Sequence, residues 1–129
     1  HTLLRDLFAQ VQPFTIQFTG VTASPDSLFV YGQAEHDALN TLRDQLRYTL
    51  TRAGLGDTLD RRYRIVTTHS TILRFQSQPE NLPALVRYLQ VARARDLGSF
   101  TADGAEFTFN DWYMSQDVVR LLARYPFSA

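Results

Sequence analysis

Residues 14–19, Phe-Thr-Ile-Gln-Phe-Thr, alternate apolar and polar without a break. Successive side chains of an extended chain point to opposite faces, so this pattern predicts a half-buried β-strand with Phe14, Ile16 and Phe18 inward. Such a strand is not stable alone and commits the chain to a sheet. Further on, the period changes. Leu39, Leu42, Leu46 and Leu50 recur at helical spacing, the buried stripe of a helix over 35–53. Arg43, Asp44 and Arg47 fall on its wet side, and Gly54 caps it.

The same two periods interleave along the rest of the chain. Leu3, Leu4, Leu7, Phe8 and Val11 form a helical stripe that Pro13 stops. Residues 22–26 read as a turn, 28–31 as a short apolar strand and 69–75 as a longer one. Pro79 introduces another helix, with Leu82, Leu85, Val86 and Leu89 on one face, ending near Gly98. Residues 99–102 and 106–113 read as strands joined by an Asp103-Gly104 hairpin turn, while the tail 118–127 fits helix and strand equally. The order α-β-β-α-β-α-β-β, with one closing element, predicts an α+β fold. Its sheet is expected to be mostly antiparallel, with helices packed on one side, in a single domain over 1–129.

Composition removes several function classes. Net charge is zero, so the chain is no strongly basic nucleic-acid binder. It has no cysteine, which excludes disulfides and thiolate metal sites, and no credible metal-ligand cluster. No apolar run approaches membrane-spanning length, and no basic-then-apolar leader pattern is present, so a cytoplasmic protein with no membrane partner is expected. All thirteen basic residues are arginine. Codon bias of a GC-rich genome accounts for that. Phosphate recognition does too, because guanidinium binds phosphate bidentately, and Arg61, Arg62 and Arg64 are the cluster to pursue.

These arginines lead into His69-Ser70-Thr71-Ile72-Leu73-Arg74-Phe75, a strand that opens on a histidine and places a threonine two residues later on the same face. An imidazole titrates near neutrality and a hydroxyl donates to phosphate oxygens, so His69 and Thr71 together form half of a phosphoryl-transfer site. The purely structural reading is a strand-end histidine bonded to backbone, with Thr71 present for its β-propensity. Position favours the functional reading, since His69 stands at the rim of a sheet and the apolar residues after it anchor the strand.

The segment from Arg62-Tyr63 through His69-Ser70-Thr71-Ile72-Leu73-Arg74-Phe75 resembles the second signature of the 2H phosphoesterase superfamily, which includes 2′-5′ RNA ligase-like proteins and cyclic phosphodiesterases. Residues 13–20, 28–32, the Leu39–Leu50 stripe, 106–113 and the tail resemble the surrounding parts, so the likeness spans nearly the whole chain. The resemblance implies a bilobal fold with two His-x-Thr motifs facing across a cleft. One histidine is then general base, the other general acid, and the two hydroxyls hold the phosphate. It implies His69 and Thr71 as catalytic residues, with no metal and no cofactor. The expected substrate is a 2′,3′-cyclic or 2′-5′ phosphodiester of a nucleotide or RNA end, touched by Arg62, Tyr63 and Trp112.

The sequence departs from that pattern at its start. His1-Thr2-Leu3 has threonine at the wrong offset, and His36 sits at a helix start with no threonine near it. The chain therefore reads as the family fold with part of its first lobe missing. A preceding segment or a homodimer partner is expected to cover the sheet edge, where Phe14, Ile16, Phe18, Phe107 and Phe109 would supply apolar surface. Trp112 and Tyr113 suit stacking on a nucleobase, or else fill core beneath a helix. The alternative function, of a different class, is a non-catalytic ligand-binding or interaction domain on the same scaffold.

Overall fold

The computed structural model describes residues 1–59 and 65–128. Among these residues the fold is α+β, with three α-helices, a four-stranded antiparallel sheet and a two-stranded sheet. The chain divides into two compact units, each assembled from separate segments. The first comprises His1–Phe14, Leu39–Arg62 and Thr101–Ala129, and the second comprises Thr15–Ala38 and Tyr63–Phe100.

In the first unit, helix α1 (Thr2–Phe8) and helix α2 (Ala38–Arg52, from Leu39 on) accompany strands β5 (Gly104–Phe109) and β6 (Arg120–Pro126). The core is aromatic. Phe8 stacks on Tyr125 at 5.4 Å between ring centroids and on Phe127 at 6.0 Å, and Phe14 stacks on Phe127 at 6.0 Å. Leu42 is the buried member of the α2 stripe, with Leu39, Leu46 and Leu50 half-buried. The end of α2 is dictated by its sequence. Gly54 takes φ +76, and the Leu55 and Gly54 N–H groups donate to the Leu50 and Thr51 carbonyls at 2.9 and 3.1 Å, a Schellman closure.

In the second unit the sheet runs β3-β2-β1-β4, built from β1 (Phe14–Ala23), β2 (Ser27–Ala34), β3 (Thr68–Arg74) and β4 (Asp96–Ala102). Helix α3 (Leu82–Ala92) begins where Asn81 Oδ1 accepts the Ala84 N–H at 3.0 Å, with Pro83 in its first turn. Gly20 breaks the register between β1 and β2. It holds φ +82, its N–H donates to the Arg95 carbonyl at 2.8 Å, and a Cβ there would stand 2.1 Å from the Arg93 carbonyl oxygen.

Several sequence expectations change. The Gly20 irregularity lets β1 continue to Ala23, beyond the alternation that suggested an end at Thr19. Glu35–Asp37 forms a separate 3-10 turn with His36 at φ 51 and Asp37 at φ 54, so α2 starts only at Ala38. Helix α3 stops at Ala92, well before Gly98, because β1 captures the next stretch of chain: Arg95 through its carbonyl, and Asp96 through the Gln17 amide at 2.6 Å. Asp103-Gly104 is not a hairpin turn. β4 belongs to the larger sheet and β5 pairs with β6, the Asp103 carbonyl accepting the Phe127 N–H at 2.8 Å. The ambiguous tail is therefore strand β6. Phe14 and Ile16, expected as uncovered surface, are buried at 5% and 6% exposure, whereas Phe107 and Phe109 remain 46% and 60% exposed.

Candidate functional site

β3 is an edge strand, paired antiparallel with β2. His69 lies opposite Tyr31 and Thr71 opposite Phe29. Residues opposite one another in an antiparallel pair share a face, so these four side chains stand together on one side of the sheet. The ring contacts agree. His69 meets Phe29 edge-on at 5.6 Å between centroids, and Phe29 meets Tyr31 edge-on at 5.3 Å. Thr67 Oγ1 lies 3.2 Å from His69 Nδ1, a hydrogen bond whose direction is set by the imidazole tautomer. His69 and Thr71 are both exposed, so neither ring nor hydroxyl is sealed among apolar side chains.

Tyr31 also borders a cavity of about 530 Å³ in the same unit. Its lining combines Arg93, Gln90, Thr19 and Thr22 with Val86 and Leu89 of α3. A guanidinium, an amide and two hydroxyls suit an anionic or hydrogen-bonding ligand, and Tyr31 links this cavity to the His69 face.

Of the five residues singled out from the sequence, His69 and Thr71 are brought together as the period of two requires. Arg62 and Tyr63 lie outside the described residues. Trp112 belongs to the other unit, and it does not end a strand: β5 stops at Phe109, and Trp112 and Tyr113 sit in a turn at 68% and 70% exposure. They are surface residues and fill no core beneath a helix. Asp111 organises that turn. Its carboxylate accepts the Ser115 hydroxyl at 2.6 Å and the Ser115 N–H at 2.8 Å, and these bonds hold its pKa below the ordinary aspartate value. His36 lies in the strained turn after β2, and His1 bonds through Nδ1 to the Tyr125 hydroxyl at 2.8 Å in the first unit.

Sequence reasoning missed Tyr31, Phe29 and Arg93. Phe29 and Tyr31 are two apart in an apolar strand, which signals a shared face, but only the register of β2 against β3 shows that the face is that of His69. Among the described residues no group of three or more histidine, aspartate or glutamate side chains has the geometry of a metal site, and no helix is long and apolar enough to cross a membrane. Compared with known families and with curated proteins, the chain matches no family model and no curated sequence.

Proposed function

We propose that this chain carries half of the active site of a 2H-type phosphoesterase, acting on a 2′,3′-cyclic or 2′-5′ phosphodiester of a nucleotide or RNA end. The observation that carries the reading is the exposed His69–Thr71 pair on one face of β3, flanked by Tyr31 and Phe29. Hydrolysis of a cyclic phosphodiester needs water to attack phosphorus in line with the departing ribose oxygen. One group removes the water proton, and another protonates that oxygen as its bond to phosphorus breaks. His69 serves as one of these groups, and the Thr71 hydroxyl donates to a non-bridging phosphate oxygen. Arg62 and Tyr63 are proposed substrate contacts. Neither a metal nor a cofactor enters the scheme. The second proton carrier comes from outside these residues, through a preceding segment or a second copy of the chain. A cytoplasmic location goes with substrates of this class.

The test is a titration with a 2′,3′-cyclic nucleotide monitored by histidine-ring NMR. The His69 resonances should move while those of His1 and His36 stay in place. His69→Ala should lower phosphodiesterase turnover by about 10²–10⁴, and Thr71→Ala by less, since it removes one hydrogen bond to a charged group of about 1.5–3 kcal/mol. A saturating nucleotide that leaves His69 unmoved sinks the reading. A His69 shift without turnover in any assembled form favours the ligand-binding domain instead.

A further inference from the structure

The first unit holds a second cavity that the His69 reading does not use. It measures about 460 Å³ and is lined by Leu46 and Leu50 of α2, Leu55 of the Schellman closure, Phe8 of α1, Phe107 of β5 and Tyr125 of β6. Phe8 and Tyr125 are buried, at 7% and 5% exposure, and stack at 5.4 Å to form an aromatic floor. Leu55 and Phe107, at 44% and 46% exposure, form a rim that leaves the cavity open to solvent. Polar groups are few. They are the Tyr125 hydroxyl, the His1 imidazole whose Nδ1 it bonds at 2.8 Å, and Thr58. Glu106 alternates with Phe107 along β5 and turns its carboxylate to the opposite face. Thr58 is already committed, its hydroxyl donating to the Leu55 carbonyl at 2.6 Å.

A concave site of several hundred Å³, with apolar walls and a few polar groups, has the form of a small-molecule site rather than a protein-docking face. We infer that this cavity binds a small, uncharged aromatic molecule bearing one hydroxyl. Flat rings suit the stacked floor, where offset and edge contacts add to the burial of apolar area. The hydroxyl can exchange a hydrogen bond with the Tyr125–His1 pair. A full charge is disfavoured by walls made of leucine and phenylalanine.

The probe is 1-naphthol, monitored by its fluorescence and by leucine-methyl NMR of the whole chain. Methyl shifts should concentrate on Leu46, Leu50 and Leu55. Leu50→Trp, which fills the cavity, should weaken binding tenfold or more. Tyr125→Phe should weaken 1-naphthol several-fold and leave naphthalene unchanged. Should Leu50→Trp fail to fold, the methyl map decides by itself. Shifts spread over other leucines overturn the inference, as does undiminished binding to a folded Leu50→Trp protein. Equal binding of naphthalene-1-sulfonate overturns the uncharged class of ligand. The cavity lies outside the unit that carries His69 and Thr71, so these outcomes do not depend on the phosphoesterase reading.

Discussion

Asp111 and Asp26 show how single carboxylates organise turns in this molecule. Asp111 is held by the side chain and backbone of Ser115, and Asp26 by the hydroxyls of Ser24 and Ser27; in both, these bonds lower the pKa. A carboxylate with a lowered folded value contributes stability that is fully present above the ordinary aspartate value of about 3.9. That contribution is lost as pH falls through the lowered value. The 111–115 turn should therefore loosen in acid only below about pH 4. Trp112 fluorescence and Ser115 amide exchange report it, and Asp111→Asn should flatten both pH profiles. A turn that loosens between neutrality and pH 5 would contradict this assignment. Residue-scale chemistry was partly legible in the sequence. The pairing of His69 with Thr71 comes from strand geometry alone, whereas Tyr31 joins them through a register set by distant pairing energies.

Among the elements, two glycines with similar backbones make opposite demands. Gly54 (φ +76) has nothing within 4 Å of its missing Cβ, so Gly54→Ala should cost only the left-handed backbone penalty, about 1 kcal/mol. Gly20 (φ +82) adds a 2.1 Å collision with the Arg93 carbonyl. Gly20→Ala should cost clearly more, about 2–4 kcal/mol, and separate the end of α3 from β1. Asn81→Ala should cost about 1 kcal/mol through the lost cap. Urea denaturation of the three variants checks the order. Equal costs for the two glycine changes would refute the close approach at Gly20.

Element existence was largely legible, because leucines at helical spacing and alternating phenylalanines leave few options. Boundaries and partners were less so. Asp103-Gly104 carries the local chemistry of a hairpin, yet Asp103 spends its carbonyl on Phe127, and the next strand pairs with β6. Tertiary pairing overrode the turn signal there. At 35–37, helix periodicity extended across a turn that left-handed His36 and Asp37 interrupt, a feature no apolar pattern records.

At the scale of the whole molecule, the β5–β6 sheet has two strands, and Phe107, Phe109, Leu121 and Leu122 on it are 46–60% exposed. Two-stranded sheets are marginal alone, and exposed apolar strands invite pairing. A dimer is expected by light scattering at tens of micromolar, and Phe109→Ser with Leu121→Ser should return it to monomer. A wild-type protein that stays monomeric there contradicts the expectation.

The interleaving of the two units has a temporal side. Among the described residues Phe8 and Phe14 find their stacking partners in Tyr125 and Phe127, and His1 reaches Tyr125 across 124 positions. Loops of that span close slowly and late. A ribosome reads the chain from one end, so the aromatic core of the first unit cannot assemble until residues 125–127 have emerged. From the synthesis of α1 until β6 emerges, Phe8 has no ring of that strand to stack on.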